Sequence, residues 1–504
     1  MRLFIVCFVI SFSVYAQEPA RFVDSDRADK VKATAPVIER MFKEFADRQH
    51  LPGLSYGVML DGKLLYTGGF GFSNLADKIP ANTKSLFRIA SMSKSFTALA
   101  ILQLRDEGKL SLDDPASKYL PAMSKLTHLT TDAPAIMIRH LLTHSAGFPE
   151  DNPWGDRQLA DTDRELLEMI EGGVSFSNVP GIEYEYSNLG FALLGQIVQV
   201  VSGMDFQKYT TERIFKPLGM TSTVWEYEKV PKEKLALGYA WIDNSWVLVP
   251  MLHHGSYGAM GGLITSIEDF ANYVSLHLSG WPPRSDSESV VLKRSSLREM
   301  HQPGKFNRLN PSFRYPGGRE CAMVSAYAYG LSWSKDCEGR VSVGHGGGLP
   351  GFGSHWSMLP EYGIAVMSFD NRTYGGTGGL HVWVLDTIAT LAGLQPRQIS
   401  PSKILQQRTK ELAGILPDWG NAERSGLFAE NFFLDNRIQD LKARSKDLFE
   451  KTGKIVTIRE IVPENQLRGT FIMEGEKMNL QVFFTLTPEK NPLIQQVRVR
   501  GMER

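Results

Sequence analysis

Between residues 87 and 108 an apolar run places Phe96, Ala98, Leu99, Ala100, Ile101, Leu102 and Leu104 around the whole circumference of a predicted helix, not along one stripe. A helix of that kind is buried on every side in a large core, and Gly108 ends it. Upstream, Val37, Ile38, Met41, Phe42 and Phe45 recur at helical spacing over 36–49. Residues 54–60 and 63–67 then read as strands joined at Asp61-Gly62. Residues 136–144 form a short helix ending near Gly147, and the pattern stays chiefly helical to about residue 263, including strongly apolar helices at 189–201 and then 267–278. Residues 281–325 are polar and rich in Pro, Ser and Arg, as an extended surface insertion is. Strands follow at 327–334, 340–345, 353–359 and 364–369, linked by short turns, with a closing helix at 380–391. After a linker at 395–401 the pattern changes to a helix over 436–452 and four strand-like runs, which reads as a separate small α+β domain.

The expected domains are therefore 33–395 and 402–504, within a chain of 504 residues whose 42% hydrophobic content supports a sizeable core. Lysine plus arginine balances aspartate plus glutamate at 55 each, so nothing global draws the protein to nucleic acid or to an anionic membrane. Residues 1–16 pair Arg2 with a short apolar run and end Val14-Tyr15-Ala16, the form of an export signal. An exported product, periplasmic or secreted, with no membrane span after cleavage is expected. Cys7 leaves with that segment. Cys321 and Cys337 remain, either as one local disulfide in an oxidising compartment or as two buried thiols.

Chemistry enters with Ser91 and Lys94, which lie i and i+3 at the head of the buried helix and so share one face. A lysine there costs free energy unless it has a partner or a catalytic role. Desolvation loosens its proton, so the pair can share proton transfer. The spacing alone is not specific, since Ser332 with Lys335 and Ser400 with Lys403 match it too. Two further elements give it context: Tyr186-Ser187-Asn188 ahead of an apolar helix, and the strand-end run Val343-Gly344-His345-Gly346-Gly347-Gly348. Together the three resemble the serine β-lactamase and penicillin-binding-protein superfamily, in its class C β-lactamase, D-peptidase and carboxylesterase branch. Arg139-His140-Leu-Leu-Thr-His144-Ser-Ala-Gly147 and Lys216-Pro217-Leu218-Gly219-Met220 are similar to landmarks of that family.

The resemblance implies an α+β fold: a five-stranded antiparallel sheet with flanking helices, plus a helical subdomain. It implies Ser91 as acyl-accepting nucleophile, Lys94 as its proton partner, and Tyr186 as the general base that later protonates the leaving group; with a reference pKa of about 10, Tyr186 acts as base only if positive neighbours such as Lys94 favour its phenolate. Asn188 would bond Lys94 and substrate, His345 would line the opposite wall, and Gly347 and Gly348 would let substrate approach the strand. The Gly348 N–H would join that of Ser91 in an oxyanion hole. The family's usual Lys-Thr-Gly is His345-Gly346-Gly347 here, and histidine, with a reference pKa of about 6.5, is not a permanent cation. An ester or amide substrate, carboxylester or D-amino-acid peptide, is therefore expected ahead of a β-lactam. A true β-lactamase or D-alanyl carboxypeptidase is the alternative, and a binding protein without turnover is the rival of another class. No cofactor or metal is expected, since His140, His144, His253 and His254 lack a ligand pattern. The small-molecule substrate is the one expected partner, and oligomeric state is open.

Overall fold

The computed structural model describes residues 18–503, so the expected export signal at 1–16, with Cys7, lies outside the described residues. Residues 24–396 form one compact unit and residues 18–23 with 397–503 another. Among the described residues no single helix is long and apolar enough to cross a membrane.

The larger unit is built on an antiparallel sheet. Its strands are β1 (Gly53–Leu60), β2 (Lys63–Asn74), β3 (Ile79–Pro80), β4 (Lys305–Asn310), β5 (Met323–Tyr327), β6 (Ser332–Asp336), β7 (Val341–Leu349), β8 (Phe352–Leu359) and β9 (Ile364–Asp370). They lie in the order β3-β2-β1-β9-β8-β7-β6-β5-β4, each pair antiparallel. Both faces of β1 are covered. Leu54, Tyr56, Val58 and Leu60 pack with Ile38 and Phe42 of α2 (Ala35–Arg48) and Val384 and Ile388 of the helix Gly378–Leu391, whereas Met59 joins the core of the helical region on the other side. The period-two alternation of a strand sends successive side chains to opposite faces, which is why β1 is buried throughout its length.

Three expectations are corrected. The sheet has nine strands, not five, because the polar stretch 281–325 is no plain insertion. It contributes the helix Arg294–Met300, the edge strand β4 and most of β5. The edge strand is mostly exposed and carries Lys305 and Arg308, a composition that hides a strand from an apolar pattern while blunting an open edge. The single strand expected at 327–334 is broken between Tyr327 and Ser332 by a turn in which Ala328 N–H bonds Leu331 O. Gly330 in that turn has φ +64°, and a Cβ on it would fall 2.7 Å from the Lys94 carbonyl oxygen. The unit also starts earlier than residue 33, since the helix α1 (Arg27–Ala33) buries Val31 in its core. Cys321 and Cys337 are joined as a disulfide.

The smaller unit has five strands where four were expected, Ile455–Ile458, Val462–Asn465, Arg468–Gly475, Asn479–Leu486 and Ile494–Met502. Its core, with Phe471, Val482 and Phe484 against Leu405 and Leu412 of the helix Lys403–Ile415, shares no residue with the cores of the larger unit. Removing residues from 397 onward should therefore leave 24–396 with a cooperative thermal transition. Loss of that transition in the truncated chain would contradict independent cores.

Candidate active site

Ser91 does not begin the long helix. The strand-like Phe87–Arg88 leads into a 3-10 turn, Ala90–Met92, and only then does α3 (Ser93–Asp106) start. Ala90 holds φ +50°, a left-handed conformation that is uncommon outside glycine, directly before the serine. The turn is braced by Ser93, whose hydroxyl donates to Ala90 O (2.7 Å) and accepts from Leu263 N–H (3.1 Å). Ser91 N–H thus lies in a first turn whose amides lack intrahelical acceptors, where developing negative charge is favoured.

Twelve residues of α3 are buried, Lys94 among them with no exposed surface. Its Nζ lies 2.9 Å from Ser91 Oγ, 2.6 Å from Asn188 Oδ1 and 3.0 Å from Met260 O. Burial pulls its pKa down to about 7 against the opposing pull of Asp156 and then Asp151. The last two acceptors can only accept. Once Lys94 is neutral, its two remaining N–H bonds satisfy them, and the lone pair is left to face the Ser91 hydroxyl.

Asn188 reaches Lys94 because it opens the helix α5 (Asn188–Ser202), counting the short Trp154–Arg157 as α4. Ser187 caps α5 by accepting from Gly190 N–H (3.2 Å), and Asp151 accepts from the N–H groups of Asn188 (2.6 Å) and Leu189 (2.8 Å). His144 Nδ1 accepts from Ser187 N–H (3.1 Å), and its ring lies 4.3 Å from that of Tyr186. His144 is therefore a structural support, held neutral by burial first and by Lys94 second. His253 is engaged with Glu226 (2.8 Å) in a surface group that includes Glu228.

Tyr186 lies beside the pair, with its ring centroid 4.8 Å from Lys94 Nζ. Its expected phenolate is not favoured. Burial raises its pKa well above the ordinary 10, and the neighbouring Ser91 side chain opposes this only in part. At neutral pH Tyr186 is a phenol that can donate, and Lys94 is the group able to take a proton.

His345 lies on the facing strand β7, its ring 6.3 Å from that of Tyr186. Its Nδ1 donates to Gly346 O, which fixes the tautomer, and Nε2 accepts from the Tyr327 hydroxyl at 2.8 Å. Burial, and then Lys94, bring its pKa down to about 3. A rate that falls as His345 loses a proton near neutrality is therefore not expected, because His345 is uncharged throughout that range.

Gly347 and Gly348 are placed by contact. A Cβ on Gly347 would lie 2.3 Å from both Ile89 O and Ser354 Oγ, so only glycine lets β7 pass against the turn that carries Ser91. Pairing of β6 with β7 ends at Ser332 opposite Gly344, leaving the edge of β7 beyond it without a strand on that side. That edge is where a substrate carbonyl can meet backbone N–H groups. Sequence reasoning missed Met260 O, Asp151, Asp156, Tyr327 and Tyr374. The glycine joint 258–262 was the one visible signal for the first of these, and a Cβ on Gly195 of α5 would fall 2.5 Å from Ala259 within it.

A buried Ser-x-x-Lys pair, a Tyr-x-Asn loop and a glycine-lined strand edge on an antiparallel sheet define the active-site-serine class of β-lactamases and penicillin-binding proteins. Residues 38–391 match the Beta-lactamase family model, and the chain belongs to that family. It is 30% identical over 519 residues to Beta-lactamase-like protein 2 of Dictyostelium discoideum, covering 96% of this chain and 89% of that one. It is 28% identical over 346 residues to Protein flp of Staphylococcus aureus strain N315, a match that covers 67% of this chain and 63% of the relative. In fold it is similar to the octameric penicillin-binding protein homologue from Pyrococcus abyssi, with a TM-score of 0.59 at 22% identity over 93% of this chain and 96% of that one.

Proposed function

We propose that the protein is an exported serine hydrolase that cleaves an ester or amide, a carboxylester or D-amino-acid peptide, through an acyl-enzyme on Ser91. The observation that carries this is the lone-pair geometry of Lys94, a buried amine whose two other contacts are obligate acceptors. Neutral Lys94 takes the Ser91 hydroxyl proton as Oγ attacks the acyl carbon. The oxyanion gathers at the Ser91 and Gly348 N–H groups, each donor of this kind being worth about 3 kcal/mol. As the bond to the leaving group breaks, Tyr186 gives it a proton and regains one from Lys94. Water then releases the acyl group by the reverse sequence.

Neutral His345 supports an ester or amide without a required carboxylate, since no permanent cation stands where the family's lysine does. Export is supported by the apolar segment at 1–16 and by the Cys321–Cys337 bond. The expected partition is faster turnover of p-nitrophenyl butyrate and D-alanyl p-nitroanilide than of benzylpenicillin, read side by side by absorbance. Rapid loss of benzylpenicillin with neither chromogenic substrate consumed would sink the ester and amide assignment.

A further inference from the structure

Lys94 makes its three short contacts with neutral oxygens, so the charge that balances its cationic form comes from further away. Two carboxylates act on it, and Asp156 acts more strongly than Asp151. Asp151 already caps α5 through two backbone N–H groups. Asp156 is only 1% exposed, and one of its oxygens, Oδ1, has no hydrogen-bond partner among the described residues. A buried, half-satisfied carboxylate is costly unless a cation lies within electrostatic reach.

Its other oxygen, Oδ2, accepts the hydroxyl of Tyr374 at 3.1 Å. Tyr374 follows β9 on the sheet side of the site, whereas Asp156 belongs to α4 on the helical side. Tyr374 is a bulky residue at φ +52°, held by a neighbour, Thr373, whose N–H and hydroxyl both donate to Tyr239 O. Its ring leaves no room above Gly348, where a Cβ would lie 2.9 Å from Tyr374 Cδ1. On the other side α4 presses on the lysine's own partner, since a Cβ on Gly155 would fall 2.8 Å from Asn188 Cβ.

We infer that Asp156 is a positioning residue for the Ser91 and Lys94 chemistry, the buried counter-charge that sets the lysine's protonation, and that Tyr374 holds it in place from the sheet side. This rests on Ser91 being the acyl-accepting nucleophile. The remaining groups around Lys94 are Tyr186, a phenol, with His144 and His345, both uncharged near neutrality. Asp151 and Glu150 face Asp156 and Arg157 faces Tyr374, while Asp370, pushed up to about 7 by burial, lies beneath Gly375. Because Asp370 titrates in the same range, the effect is read as a difference between variants and the parent.

The test is the pH profile of Ser91 acylation by p-nitrophenyl acetate, followed by intact mass in the full chain and in Asp156→Asn, Asp156→Glu and Tyr374→Phe. Removing the negative charge lets Lys94 lose its proton at lower pH, so the midpoint in Asp156→Asn should fall by about one pH unit. Asp156→Glu should restore the parental midpoint, and Tyr374→Phe should move it in the same direction as Asp156→Asn but less. A parental midpoint in both Asp156→Asn and Tyr374→Phe, with only the rate reduced, would overturn the inference. If Asp156→Asn does not fold, the Tyr374→Phe midpoint decides alone. Absence of any Ser91 adduct in the parent protein would instead remove the nucleophile assignment, and the inference with it.

Discussion

Ser91→Ala protein should take up no acyl group and lose turnover by about 10⁴ to 10⁶-fold, the scale seen when a catalytic serine is removed from an otherwise intact site. The fold should be unaffected, because the long helix begins at Ser93 and its brace runs through the Ser93 hydroxyl to Ala90 O and Leu263 N–H. Lys94 keeps two of its three acceptors, Asn188 Oδ1 and Met260 O. Thermal unfolding beside steady-state turnover separates the two effects. Turnover retained in a folded Ser91→Ala protein would place the nucleophile elsewhere.

Lys94→Met carries the second large effect. It removes the proton acceptor, which is worth about 10² to 10⁴-fold in rate. It should also remove the rise in rate expected of the parent protein as pH climbs through about 7. The stability change has a definite sign with pH. Lys94 holds its proton less tightly folded, at about 7, than unfolded, at its ordinary value of 10.5, so the unfolded chain binds more protons between those values. The cost of burying the charged amine is complete below about 7 and is relieved as pH climbs toward 10.5. Methionine bears no such cost, but it leaves Asn188 Oδ1 and Met260 O without a donor, at about 1–3 kcal/mol each. The variant should therefore compare best with the parent in acid and worst in alkali, as denaturant titrations across pH would read. A stability difference independent of pH would mean that Lys94 keeps its ordinary proton affinity when folded.

The parts of the fold legible in the sequence are those where one physical requirement dominates. The circumferential apolar pattern of Phe96 to Leu104 needs a core on every side, and α3 has one. The strand β4 was missed because an edge can be polar, and the break after Tyr327 because Gly330 answers to a contact with Lys94 O that no local pattern encodes. In the site, Ser91, Lys94, Tyr186 and Asn188 were legible by spacing, and they are brought together. Their protonation was not, because it depends on burial. The phenolate expected at Tyr186 and the possible cation at His345 both give way to desolvation, which composition cannot measure. Asp156 and Tyr374 stood in no motif at all. They meet across 218 positions of chain, joined only by the folded sheet and helices.

The most direct measurement is an intact-mass time course of the full chain with p-nitrophenyl acetate between pH 5 and 9, with the adduct mapped by peptide digestion. One acyl group on Ser91, forming faster as pH rises through about 7 and absent in Lys94→Met over the same interval, is the result that activation of Ser91 by Lys94 predicts. An adduct on another residue, or acylation of Ser91 that is indifferent to both pH and Lys94, would contradict it.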